Sequence, residues 1–360
     1  MAPVIKRLAK SDMIKPVLVS TGQHSNLLDL AIKDMGLTVD YYLNINRSRS
    51  SLIDLTAQIA SSLEDLVGNL TPAFIVAQGD TNSVLASSLT AFFCHVPFVH
   101  VEAGLRSNDI TSPFPEEFNR RVAAIGADIH CAPNDGAAQN LVREGVPNDK
   151  IIVTGNTGID SLLDMVQDNE QASQMVSGDE RTILVTAHRR ENFGGKLEEA
   201  FAALRCFVDQ APDVRVLMSA HPNPLAVASA KGLANHDRIT LCEPMPYSEM
   251  VNALKASWIV MTDSGGLQEE APALGKPVLV MRESTERPEA VATGNARLVG
   301  TDTKTILEAL HSLYASPDTY AKMAIPAFPF GDGKAAERIV DAMEEFARAK
   351  LQPVFSATGL

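Results

Sequence analysis

Short apolar runs rich in Val, Ile and Leu recur along the whole chain. In the first half they fall at residues 16–20, 73–77, 97–101, 129–132 and 151–153. In the second half they fall at 182–186, 214–218, 239–241, 258–261, 277–280 and 296–299. Helical stretches separate them. Runs apolar on both faces read as parallel strands covered by helices on either side, not as half-exposed antiparallel ones. Right-handed crossovers then build doubly wound α/β domains. The polar stretch Gln167 to Glu180 holds no strand and separates the two sets. We therefore place one Rossmann-like domain over residues 1–166 and a second over 167–330, with a cleft between them. Residues 331–360 form a last helix, from about Gly333 to Lys350, and a frayed tail that packs back toward the first domain.

Composition narrows the classes without choosing one. The chain has 360 residues, is 45% hydrophobic and carries a net charge of −13. That is enough apolar material for two cores, and the charge is opposite to a nucleic-acid or anionic-membrane footprint. No run reaches the ~20 apolar residues of a membrane helix. The four cysteines lie far apart without a CxxC pair, which reads as reduced filler in a cytoplasmic protein.

In open α/β sheets ligands bind beyond the carboxyl ends of the strands, so residues directly after each run matter most. Gln78-Gly79-Asp80, Glu102-Ala103-Gly104, His188-Arg189-Arg190, His221-Pro222-Asn223, Asp263-Ser264-Gly265-Gly266 and Thr285-Glu286-Arg287 all occupy that position. Two glycines after Ser264 let a backbone approach an anion, and the helix starting there offers free N–H groups and its dipole. Glu269 and Glu270 are either helix-favoured acids or, one turn in, a carboxylate suited to the two hydroxyls of a ribose. His188, the two arginines beside it and His221 fit a pyrophosphate. The first half supplies acids instead: Asp80, Glu102, Glu116 and Glu117. This is a division of labour, with nucleotide binding in the second half and acid–base chemistry in the first. No GxGxxG follows a first strand, and there is no P-loop, metal-ligand spacing or GxSxG elbow.

The segments Thr21-Gly22-Gln23-His24, Gly79-Asp80-Thr81, His100 to Arg106, Ser112 to Glu117, Thr154 to Thr157, His188 to Gly194, Thr262 to Pro272 and Thr285 to Ala290 together resemble the non-hydrolysing UDP-N-acetylglucosamine 2-epimerases over nearly the whole chain. The resemblance implies a GT-B architecture, a homodimer, no cofactor and no metal. It implies interconversion of UDP-N-acetylglucosamine and UDP-N-acetylmannosamine by elimination of UDP to a glycal and re-addition, in polysaccharide biosynthesis. It carries a catalytic role to Asp80, Glu102, Glu116 and His188, and substrate binding to Arg189, His221, Ser264, Gly265, Gly266, Glu270 and Arg287. No nucleic acid or membrane partner is implied.

Three departures stand out. The resemblance implies a strand and a Gly-Thr-Arg-Pro-Glu turn upstream of Met1, and a doubly wound domain without its first strand has unpaired neighbours. Met250 stands where relatives often carry an aromatic near the uracil. Ser25 and Leu30 replace residues tied to a second, activating UDP-N-acetylglucosamine. Other readings remain at this point: a hydrolysing enzyme that releases N-acetylmannosamine, a glycosyltransferase of the same shape, and a non-catalytic UDP-sugar binder.

Overall fold

The computed structural model describes residues 1–22, 25–46, 51–168, 180–187, 195–220 and 224–351. The chain divides into two units, Met1–Ser161 with Phe330–Leu360, and Leu162–Pro329. The first division falls inside the Thr157–Asp168 helix, ahead of the polar stretch. The reason is local: Asp160 of that helix accepts hydrogen bonds from the backbone N–H of Ala335 (3.1 Å) and Ala336 (2.8 Å). It thereby caps the Ala335–Leu351 helix of the first unit. Residues 169–179, most of the expected connection, lie outside the described residues.

The first unit holds β1 (Val19–Ser20), β2 (Tyr41–Tyr42), β3 (Ile75–Gln78), β4 (Phe98–Val101), β5 (Ile129–Ala132) and β6 (Ile151–Val153). Among the described residues they form two separate parallel sheets, β1-β2 and β3-β4-β5-β6. Both faces of the larger sheet are covered. On one, Val99, Val101, Ile129 and Cys131 pack with Val4 and Leu8 of the Ala2–Leu8 helix and with Ile339, Val340 and Met343 of the Ala335–Leu351 helix. On the other, Phe98 packs with Val84, Ala91, Ala123 and Ala127, from or just after the helices Asn82–Phe93 and Glu116–Gly126. This double cover is why every residue of β4 and β5 is buried.

The second unit is one parallel sheet of six strands: β7 (Arg181–Ala187), β8 (Val214–Ala220), β9 (Ile239–Cys242), β10 (Ile259–Thr262), β11 (Val278–Val280) and β12 (Ala296–Leu298). Their order is β12-β11-β10-β7-β8-β9. The chain starts in the middle at β7, runs out to β9, then returns to β10 and runs out the other way. The reversal between β7 and β10 is the crevice position of a doubly wound sheet. The sequence pattern locates eleven of the twelve strands among the described residues. It passes over β2, whose two tyrosines are both exposed and bury no apolar face. No helix among the described residues is long and apolar enough to cross a membrane.

Candidate active site

In the first unit, β3 and β4 are neighbours, so the residues that follow them emerge side by side. After β3 comes Gly79 at φ +85°, then Asp80. His100 of β4 is fully buried, and its Nε2 lies 2.8 Å from the Gly79 carbonyl oxygen. A carbonyl only accepts, so this nitrogen carries the hydrogen. Burial lowers the imidazole pKa to about 4, and the ring is a neutral strut for the turn. After β4 comes Glu102 at φ +63°, the left-handed region that a side chain adopts only at a cost of ~1–3 kcal/mol. Its Oε2 accepts from Gln78 Nε2 at 3.2 Å. Gln78 Oε1 in turn accepts from Thr157 Oγ1 at 3.1 Å and from the Met1 nitrogen at 2.8 Å.

The Glu116–Gly126 helix supplies the third carboxylate and a brace. Glu116 is its first residue, where the helix dipole favours negative charge. Its Oε2 is buried with no hydrogen-bond partner among the described residues. A buried carboxylate oxygen without a donor is costly, so this oxygen keeps unused accepting capacity. From the same helix Asn119 Nδ2 donates to the Asp80 backbone oxygen at 2.8 Å, and Arg120 Nη1 donates to Asp80 Oδ2 at 2.5 Å. The Arg120 and Glu117 side chains are only 3% and 0% exposed. Glu117 Oε2 accepts from Arg120 Nε at 3.1 Å, and its Oε1 accepts from Arg121 Nε at 3.1 Å. Adjacent glutamates therefore do opposite things. Glu117 is spent on holding Arg120, and Glu116 has an oxygen to spare.

In the second unit, the hydroxyls of Thr186 and Thr262, paired residues on β7 and β10, lie 2.6 Å apart at the point where the strand order reverses. Thr262 Oγ1 accepts from the Ser264 N–H at 2.9 Å and shapes the turn into the Gly265–Ala273 helix. Ser264 caps that helix without a side-chain bond, so its hydroxyl is not spent there. A Cβ on Gly265 would stand 2.6 Å from Cζ of Arg287, which explains the glycine: a guanidinium lies over it. Arg287 Nε donates to Glu269 at 2.6 Å and Nη1 to Glu286 at 2.7 Å, and Glu286 also accepts from Arg282 Nη1 at 2.7 Å. All four side chains are buried, so each charge depends on its partners. Glu269 is thus an internal counter-ion. Glu270 accepts from the Tyr247 hydroxyl at 3.1 Å. Burial, with Glu269 nearby, raises its pKa to about 8 against the pull of that phenol.

A model of one family, described as UDP-N-acetylglucosamine 2-epimerase, matches residues 6–344. The chain belongs to the UDP-N-acetylglucosamine 2-epimerase family. It is 41% identical to the UDP-N-acetylglucosamine 2-epimerase of Bacillus subtilis (strain 168), over 95% of this chain and 91% of that one. Against the UDP-N-acetylglucosamine 2-epimerase of Escherichia coli (strain K12) the figures are 39%, 96% and 94%. The crystal structure of UDP-GlcNAc 2-epimerase from Neisseria meningitidis bound to UDP-GlcNAc superposes with a TM-score of 0.92, at 38% identity and 96% coverage of both chains. The two Rossmann-like units are those of this family's fold.

Within this epimerase family the expected site residues separate clearly. Asp80, Glu102 and Glu116 lie on one set of elements at the carboxyl edge of the β3–β6 sheet. Ser264, Gly265, Gly266, Glu270 and Arg287 lie together after β10 and β11. His188, Arg189 and His221 lie outside the described residues, as do Gln23 and His24. Glu117, Asn119, Arg120 and Tyr247 are bound into the site although only Glu117 drew notice in the sequence. The i, i+3 and i, i+4 spacing of Glu117 with Arg120 and Arg121 is the signal that points to the brace.

Proposed function

We propose that this chain interconverts UDP-N-acetylglucosamine and UDP-N-acetylmannosamine. The observation that carries the reading is the likeness along the whole chain to proteins named UDP-N-acetylglucosamine 2-epimerases, one of them described as bound to UDP-GlcNAc. The two units take the two tasks. The turn at Ser264-Gly265-Gly266, with Arg287, Arg189 and His221, binds the diphosphate, and Glu270 takes the ribose hydroxyls. Asp80, Glu102 and Glu116 act on the sugar, and the family resemblance adds a catalytic role for His188.

The chemistry sets what these groups must do. One carboxylate removes the carbon-2 proton, the pair from that C–H bond becomes the C1–C2 double bond of a glycal, and the C1–O bond to UDP breaks. UDP then adds back at carbon-1 while a second group returns a proton to the opposite face of carbon-2. No electrons are gained or lost overall, so the reaction calls for no redox cofactor. Positioned acids and bases typically contribute about 10²–10⁴-fold each. Glu116, with a buried oxygen lacking a donor, suits the accepting role, and Asp80, gripped by Arg120, is held in one orientation. We further propose a cytoplasmic homodimer serving polysaccharide biosynthesis.

Turnover in deuterium oxide tests the scheme. The expected result is the manno epimer with deuterium at carbon-2, read by proton NMR. Epimer without deuterium would defeat the elimination route. Release of free N-acetylmannosamine would restore the hydrolysing alternative, which the epimerase names of the relatives do not favour.

A further inference from the structure

Tyr247 is the first residue of the Tyr247–Ala256 helix, which leads into β10, and Glu270 lies on the Gly265–Ala273 helix that leaves it. A hydrogen bond joins the two helices, from the Tyr247 hydroxyl to Glu270 Oε1 at 3.1 Å. Each side chain is half-buried. We propose that Tyr247 orients the Glu270 carboxylate for a vicinal diol and is thereby a specificity-determining residue for ribonucleotides over 2′-deoxyribonucleotides. The inference rests on the reading of Glu270 as the ribose contact and deepens it.

The argument is geometric. A cis-diol offers two O–H donors a short distance apart, and a carboxylate matches them only when both oxygens face the sugar. The terminal torsion of a glutamate is broad, so the plane of the group is not set by its own rotamer. A donor on one oxygen sets it, and Tyr247 is that donor. The neighbouring carboxylate cannot exchange roles with Glu270, because Glu269 is held by the Arg287 Nε–H at 2.6 Å.

Charge points the same way. A diol donates best to an ionised carboxylate. Glu270 resists ionisation because of its burial and the nearby Glu269, and the phenol hydrogen bond opposes that resistance. Burial also raises the pKa of Tyr247 itself, so the phenol stays a donor across the working pH range. Met250 lies one turn further along the Tyr247–Ala256 helix, where the family resemblance puts the base. The residue that orients the sugar contact and the residue beside the base then share one helix.

The test is calorimetric titration of the full chain with UDP and with 2′-deoxy-UDP, using the parent, Tyr247→Phe and Glu270→Gln. In the parent UDP binds more tightly, by about fivefold, the scale of one net hydrogen bond. Glu270→Gln abolishes most of that preference. Tyr247→Phe lowers it by about threefold or more, while 2′-deoxy-UDP affinity and the Tm stay near the parent's. If Tyr247→Phe keeps the parent's preference while Glu270→Gln loses it, the positioning role is overturned and the ribose contact stands. If Tyr247→Phe weakens both nucleotides equally, the residue is structural and the proposal is overturned. If Glu270→Gln keeps the preference, the ribose reading falls and the inference with it.

Discussion

The second unit presents its polar edge on one uninterrupted sheet of six strands, while the first divides its strands between a pair and a group of four. The groups at the two edges are held differently as well. After β10 the parts proposed to meet an anion are mostly backbone, a glycine turn and the start of a helix, with one side chain, a guanidinium lying over a residue that has none. After β3 and β4 the parts are carboxyl side chains, kept in place by other side chains, Arg120, Glu117, Asn119 and Gln78. A phosphate needs donors and tolerates many directions, so backbone N–H groups suffice. A carbon-bound proton must be met by one oxygen at one angle, and that takes a braced side chain.

Breaking the brace gives the largest effect. Arg120→Met leaves Glu117 buried without its main partner, and removing one member of a buried pair costs about 3–5 kcal/mol. We expect a fall of many degrees in Tm and a large loss of kcat, with KM for UDP-N-acetylglucosamine less affected. Unchanged melting by calorimetry would mean that Glu117 does not depend on Arg120. The matching change in the second unit is gentler. Gly265→Ala pushes the Arg287 guanidinium off its seat, and UDP affinity should fall by about tenfold, the scale of one charge-assisted hydrogen bond. Equal UDP binding by titration would refute the seat.

Acid sharpens the contrast without any substitution. His100 and His130, both in the first unit, are buried with pKa values lowered by that burial to about 4. In the unfolded chain they titrate near 6.5. Between those values the unfolded state binds more protons, so stability is complete above pH 6.5 and is lost as pH falls toward 4. The slope is at most about 1.4 kcal/mol per histidine per pH unit. Hydrogen exchange at pH 7 and 5 should show the β3–β6 sheet loosening more than the β7–β12 sheet. Equal loosening of both would contradict the assignment.

How much of this was legible in the sequence follows from the same physics. Strands covered on both faces are long apolar runs, and all of them could be read; β2, two exposed tyrosines, could not. Asp80, Glu102, Ser264 and Gly265 could be found because they directly follow strands. Arg120 could not, since Glu-Glu-Phe-Asn-Arg-Arg reads as a solvated helix face until burial is known. Glu269 and Glu270 were alike by residue type and position, and the family resemblance alone singled out Glu270. Their partners, Arg287 and Tyr247, give the physical difference between them. Tyr247 carried no sequence signal, because its partner lies across a strand and another helix.

The shared core of the Ala2–Leu8 and Ala335–Leu351 helices has a consequence for synthesis. Val4 and Leu8 pack with Ile339, Val340 and Met343, so the first unit cannot close that core until the far end of the message has been translated. The second unit is continuous from Leu162 to Pro329 and is complete in the nascent chain before then. Domains fold as units during synthesis. Here the later-encoded unit is the one able to fold first on the ribosome, while the first unit waits with an apolar face uncovered.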